Sequence, residues 1–196
     1  MLVFFDYACP YSRRLSELLD GVQAPEVRWG PFVLAEHSRS DEGPPVWQRP
    51  DALTRPALLA LALHERVIAD RGDINRFRRT AFVAFGERRV EPAELYAAAE
   101  AAGAQTDEVA VQQRLTAVGA SHEMARAAGV FGTPTVVTDG GLLGYLKLTG
   151  LPARPEARQR LLQVALTAVN DFPELAEIKR PVPASPVEAT GSTDPR

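Results

Sequence analysis

Only one cysteine, Cys9, occurs in the 196-residue chain. An internal disulfide is therefore excluded, and so is a metal centre built from several thiolates of this chain. Histidine is almost as scarce. His37, His64 and His122 stand far apart, with none of the spacings that set two imidazoles on one helix face, so no dedicated metal site is expected. A basic excess is missing too. The 22 Lys and Arg against 25 Asp and Glu leave a net charge of −3, whereas a general nucleic-acid binder would carry a basic stripe. No apolar run approaches the ~20 residues that cross a bilayer, so no membrane partner is expected. The opening Met1-Leu-Val-Phe-Phe-Asp6 lacks a basic region, a long apolar stretch and a small-residue cleavage site, and no secretion signal is read there. The expected location is the cytoplasm, where thiols stay reduced.

The apolar share of 45% is that of an ordinary soluble protein. A chain of this length buries about 70% of its unfolded surface and folds without covalent staples. Leu2 to Phe5 is a continuous apolar run, read as a buried central strand. Pro10 suits the first turn of a helix, Leu15, Leu18 and Leu19 recur at helical spacing, and Gly21 closes the segment. Val27 to Leu34 reads as a second strand with a Gly-Pro interruption near its end, and the order strand, helix, strand favours a parallel right-handed crossover. His37 to Pro50 is polar and rich in Ser, Gly and Pro, a loop or an excursion from the core.

From Asp51 to Gly129 the pattern is helical. Thr54 or Asp51 caps a helix running to Asp70, with Leu58, Leu59, Leu61, Val67 and Ile68 inside. Ile74 to Gly86 is a second helix, Pro92 to Ala102 a third, and Asp107 caps a fourth, bent near Gly119 and ending at Ala128. Strand signals return over Phe131 to Thr138, Asp139-Gly140-Gly141 is a hairpin turn, Leu142 to Leu148 is the returning strand, and Pro155 to Val169 is a last amphipathic helix. The expected organisation is an α/β domain over residues 1–50 and 130–172, an inserted all-helical subdomain over 51–129, and a disordered tail over 180–196.

Chemistry concentrates at two motifs. Cys9 stands where a strand ends and a helix begins. The first N–H groups of a helix lack internal partners and carry partial positive charge, so a thiolate there is stabilised, and such cysteines have pKa values of roughly 3.5–7.5. Arg13 and Arg14, in the first turns, are favourable there only beside an ionised sulfur; alternatively both point to water. The second motif is Gly132-Thr133-Pro134-Thr135. A proline at a strand start can follow a cis bond, which would turn the Thr133 N–H and C=O outward to pair with an extended peptide or a small thiol. Asp6 either caps the turn before Cys9 or relays protons, with capping the commoner role. Tyr11 is a substrate-contacting ring or a surface residue. His64 and His122 are expected to be structural or solvated, and Arg76-Phe-Arg78-Arg79 a solvated helix face.

Asp6-Tyr-Ala-Cys9-Pro10-Tyr11-Ser12, then Arg28-Trp-Gly-Pro-Phe32-Val-Leu34, a helical insertion, and Ala128-Gly-Val-Phe-Gly-Thr133-Pro134-Thr-Val-Val137 together resemble the DsbA family of thioredoxin-fold proteins. The likeness spans about Leu2 to Val169 and is closest to the intracellular branch with FrnE-like oxidoreductases. It implies a mixed four-stranded sheet, a helical insertion, and a cis-proline, Pro134, facing the nucleophile Cys9. Members usually carry Cys-x-x-Cys, and here Ser12 takes the second position. Ser12 can donate a hydrogen bond to a Cys9 thiolate but cannot resolve a mixed disulfide. The implied activity is monothiol exchange with a small-thiol or protein disulfide, with Cys9 and Ser12 catalytic and Pro10, Tyr11, Thr133 and Pro134 binding substrate. No tightly bound cofactor is implied; glutathione or another low-molecular-weight thiol would be a co-substrate. Cys9-Pro-Tyr-Ser12 is also similar to the Ser-Pro-Tyr-Ser of kappa-class glutathione transferases and 2-hydroxychromene-2-carboxylate isomerases, in which the ligand's own thiol reacts. A non-catalytic thioredoxin-fold binding module is the third reading.

Overall fold

A computed structural model describes residues 1–24, 26–86 and 90–177. The tail expected over 180–196 lies outside them. Strand β1 (Leu2–Phe5) leads into helix α1 (Pro10–Asp20), strand β2 (Arg28–Pro31) and the short helix α2 (Leu34–His37). Two 3-10 turns, Val46–Gln48 and Ala52–Thr54, precede helices α3 (Pro56–Ala69), α4 (Ile74–Gly86), α5 (Pro92–Ala101) and α6 (Glu108–Ala127). Strands β3 (Thr135–Val137) and β4 (Leu143–Tyr145) and helix α7 (Pro155–Asp171) follow. This is the mixed α/β fold with an intervening helical run that the sequence implied.

The four strands form one sheet in the order β2-β1-β3-β4. β1 pairs parallel with β2, as the crossover rule requires, and antiparallel with β3, which pairs antiparallel with β4. Side chains alternate along β1. Val3 and Phe5 face one layer, joining α1 and the α3–α4 helices, while Phe4 faces the other with Phe32, Ala125 and Val130. Around Phe5 the rings of Tyr7, Trp29, His64 and Phe82 lie 4.9–6.0 Å apart, most of them edge to face, which adds about 0.5–1.5 kcal/mol per pair beyond burial. The Tyr7 hydroxyl and His64 Nδ1 are 2.9 Å apart in this cluster. The helical segment is thus fastened to the sheet directly beneath the turn that carries Cys9.

Several sequence expectations are corrected. β2 ends at Pro31, whose missing N–H is tolerated on this edge strand, although Phe32 N–H still donates to the Phe5 carbonyl at 2.8 Å; Leu34 belongs to α2, not to the strand. The polar stretch after His37 returns to the core, burying Val46 and Trp47. Neither Thr54 nor Asp51 caps α3; Arg55 is the N-cap, Pro56 starts the helix, and Asp51 instead accepts from the Arg55 guanidinium at 2.9 and 3.1 Å. Ile68 is exposed, since the last turn of α3 leaves the core after Val67. Asp107 does cap α6, accepting from the Ala110 amide at 2.8 Å. Gly119 is required by contact: a Cβ there would run into the Trp47 indole. Residues Phe131 to Pro134 form a loop, so β3 begins only at Thr135, and β4 is correspondingly short. The Asp139-Gly140-Gly141 turn is present, with Gly141 at φ +78° closing it.

Candidate functional site

Cys9 is the N-cap of α1, in extended backbone (φ −86°, ψ 115°), with Pro10 opening the helix. Its carbonyl accepts the first helical bond, from Arg13 N–H at 3.2 Å. The approach is set by Asp6. Its Oδ1 accepts from Ala8 N–H at 2.8 Å, its Oδ2 from Leu34 N–H at 2.9 Å, and its carbonyl from Cys9 N–H at 3.1 Å. Asp6 is therefore the turn cap, and it also ties the turn to the start of α2. Burial pushes its carboxyl pKa up, against the two backbone bonds that favour the charged form.

The sheet brings the second motif to the same point. Phe4 pairs with Thr135, so the chain entering β3 lies beside the chain leaving β1. The Thr133–Pro134 peptide bond is cis. The Cys9 S–H donates to the Thr133 carbonyl at 3.2 Å, across 124 residues of sequence. That carbonyl is thus engaged by the sulfur and not free for a peptide, as the sequence had suggested. Nor is the Pro134 carbonyl free; it accepts from Leu146 N–H at 3.0 Å. Cys9 itself is only 4% exposed.

Ser12 is fully buried and its hydroxyl has no hydrogen-bond partner; the Thr133 hydroxyl is likewise buried and unpartnered. The bond expected from Ser12 to Cys9 is not formed; the sulfur donates its own proton to Thr133. Pro10 is exposed, and Tyr11 is half-buried beneath two cations: Lys147 Nζ lies 5.0 Å and Arg14 Cζ 5.8 Å from its ring centroid. Arg14 also donates to the Leu148 carbonyl at 3.3 Å, and Arg13 pairs with Glu17 at 3.7 Å. So the structure joins Cys9, Thr133 and Pro134 directly, sets Pro10 and Tyr11 beside them, and leaves Ser12 without a bond to any of them.

Sequence reasoning missed Phe131, Tyr145 and Lys147. Tyr145 pairs with Thr135 across the hairpin, and its ring packs on Gly132 and lies 5.2 Å from that of Phe131. Counting back from the Asp139-Gly140-Gly141 turn would have matched Tyr145 to Thr135. Burial raises the Tyr145 phenol pKa; the Lys147 charge opposes this, while Cys9 and Tyr11 add to it. His64 and His122 are structural. His64 is held neutral by burial, its pKa lowered to about 3, and His122 Nδ1 accepts from Val33 N–H at 3.1 Å, which requires a neutral ring. The expected solvated face at Arg76–Arg79 is corrected by Arg78. It is 2% exposed, donates to Ser16 Oγ and to Asp20 Oδ1 at 2.5 Å, and covers the Trp29 ring at 4.8 Å. A groove of about 1230 Å³ between the end of α1 and α7 is lined by none of the residues gathered around Cys9.

The sequence matches the model of the DSBA-like thioredoxin domain over residues 1–161. No curated protein matches it. Among solved structures it is similar to Proteus mirabilis ScsC in a compact conformation, with a TM-score of 0.53 and 17% identity over 91% of this chain and 84% of that one.

Proposed function

Because the chain belongs to the DSBA-like thioredoxin-domain family, we propose that it is a thiol–disulfide oxidoreductase working through the single thiol of Cys9. The observation that carries this reading is the Cys9 Sγ–H bond to the Thr133 carbonyl at 3.2 Å, made by the only cysteine of the chain at a helix N-terminus. The carbonyl holds the thiol form in place. An incoming disulfide sulfur takes over that position beside Thr133 and Pro134 as the proton leaves, and the first-turn N–H groups of α1 then face the thiolate. The thiolate attacks one sulfur, a mixed disulfide forms on Cys9, and the other half leaves as a thiolate. Ser12 offers no second sulfur, so an outside thiol resolves the adduct and net oxidation of a dithiol is not expected. This chemistry suits a reducing compartment such as the cytoplasm, in which a low-molecular-weight thiol is abundant.

The test is intact-mass measurement after incubation with oxidised glutathione, followed by a second thiol. The reading requires one adduct, on Cys9, removed by the second thiol. Replacing Cys9 with serine separates it from the kappa-like alternative. Loss of turnover fits the Cys9 mechanism, whereas retained turnover with a thiol ligand means that the ligand's sulfur reacts. A chain that forms no adduct and turns over neither class of substrate is a binding module.

A further inference from the structure

We propose that Lys147, supported by Arg14, makes the rim of the Cys9 site selective for carboxylate-bearing low-molecular-weight disulfides over neutral or cationic ones. This rests on the monothiol reading above and adds to it a substrate class and a specificity-determining residue.

Tyr11 stands two residues after Cys9 in the first turn of α1. Two cations from different elements converge on its ring, Lys147 at 5.0 Å from the segment after β4 and Arg14 at 5.8 Å from α1. The bond from Arg14 to the Leu148 carbonyl fixes these two segments against each other. Four other surface cations are neutralised locally, Arg13 by Glu17, Arg39 by Glu36, Arg55 by Asp51 and Arg66 by Asp70; what sets Lys147 and Arg14 apart from the remaining surface arginines is that they meet over one ring beside Cys9. Among the described residues neither Lys147 nor Arg14 has a carboxylate partner. The acids of α1 are already committed, Glu17 to Arg13 and Asp20 to Arg78. Asp6, the carboxyl next to Cys9 in sequence, is buried and spends both oxygens on backbone N–H groups. Cys9 and Tyr11 raise the Tyr145 phenol pKa and Lys147 lowers it, so all three lie in the electrostatic neighbourhood of that ring. The Phe131 and Tyr145 rings provide an apolar wall on the Gly132 side for the stem of a small ligand.

In the step itself, the Cys9 proton passes to solvent and Sγ bonds to one sulfur of R–S–S–R. The old S–S bond breaks, and R–S⁻ leaves with the electron pair. Cys9 is oxidised to the mixed disulfide and the leaving half is reduced. A second R–S⁻ reverses the exchange, returning R–S–S–R and free Cys9. The bound half lies within reach of Lys147, whose charge acts on any carboxylate of R. A charge pair separated by ~8 Å in a water-like medium changes a rate about 2-fold, so two cations acting on opposite ligand charges give a ratio on the order of 10-fold.

The experiment measures the rate of adduct formation on Cys9 of the full chain with three probes: oxidised glutathione, bis(2-hydroxyethyl) disulfide and cystamine. Each rate is divided by that of a small neutral reference thiol with the same disulfide. At low ionic strength the normalised glutathione-to-cystamine ratio is expected to be about 10, falling to about 1 in 1 M salt, where the screening length is ~3 Å. Lys147→Glu, at an exposed position, is expected to bring the low-salt ratio to about 1. A wild-type ratio near 1 at low salt, or a ratio unchanged in Lys147→Glu, overturns the inference while leaving monothiol exchange intact. No adduct with any of the three probes removes the monothiol reading, and this inference with it.

Discussion

Replacing Arg78 with methionine tests how the helical segment is locked to the helix that presents Cys9. Arg78 reaches from α4 between α1 and β2, bonded to Ser16 and Asp20 and stacked over Trp29. Methionine keeps an unbranched apolar stem, so the cavity contribution is small. Three losses remain. The buried Ser16 hydroxyl is left without its partner, at about 1–3 kcal/mol. The cation–π contact with Trp29 contributes about 1–2 kcal/mol. The ion pair contributes about 1 kcal/mol or less, because Asp20 keeps 30% of its side chain in water and rehydrates. Relief of the buried guanidinium's desolvation acts in the opposite direction. The net expectation is a loss of about 2–3 kcal/mol, read as a lower midpoint at unchanged slope in urea denaturation. Arg78→Lys, which keeps the charge but not the planar fork, should lose about half as much. A Ser16→Ala change in the Arg78→Met background should recover about 1 kcal/mol. If Arg78→Met is as stable as the parent or more so, desolvation outweighs the contacts and the clasp has been misjudged.

Acid should weaken the fold through its histidines. Native His64 stays neutral down to about pH 3 while the unfolded ring takes a proton near pH 6.5, so the unfolded state binds more protons in that window and stability is lost as pH falls through it. The expected slope is up to ~1.4 kcal/mol per pH unit for each such histidine, with His122 adding in the same direction and the raised carboxyls of Asp6 and Glu65 opposing it at the acid end. NMR titration should find the His64 ring flat from pH 8 to 5; a midpoint near 6.5 would contradict its burial. Tyr7→Phe leaves His64 Nδ1 without its partner and should cost about 1–3 kcal/mol by urea denaturation, with near-UV circular dichroism retained. Gly119→Ala drives a methyl into the Trp47 indole, and overpacking of about 1–3 kcal/mol should outweigh the ~1 kcal/mol gain in helix propensity; a stabilised variant would mean that Trp47 moves freely.

The parts of this architecture legible in the sequence are those fixed by local chemistry. Leu2–Phe5 is apolar without interruption, Pro10 and Gly21 bracket α1, Asp107 caps α6, and Gly141 permits the positive φ that the hairpin turn needs. The resemblance then joined Cys9 to Thr133 and Pro134, which neither motif could do alone. What stayed hidden depends on neighbours distant in sequence. Arg78 reads as one member of a charge run, and only the approach of Ser16, Asp20 and Trp29 makes a buried site for it. Trp47 sits in a polar stretch and is drawn inward because α6 offers Gly119 as a recess. Tyr145 and Lys147 gain meaning from strand register and from the Tyr11 ring, and the Ser12 hydroxyl is buried without the bond to Cys9 that the sequence suggested.

The pairing of Phe4 with Thr135 makes the sheet a caliper. Its jaws are the exit of β1 and the entrance of β3, and their gap is set by ladder hydrogen bonds, not by the hundred and more residues between. The helices threaded through that interval can therefore lengthen, shorten or change sequence with the jaws still aligned. Deleting one residue between Leu2 and Phe5 has the opposite effect. It shifts the strand by about 3.3 Å and turns alternate side chains to the wrong face, carrying the sulfur out of reach of its carbonyl.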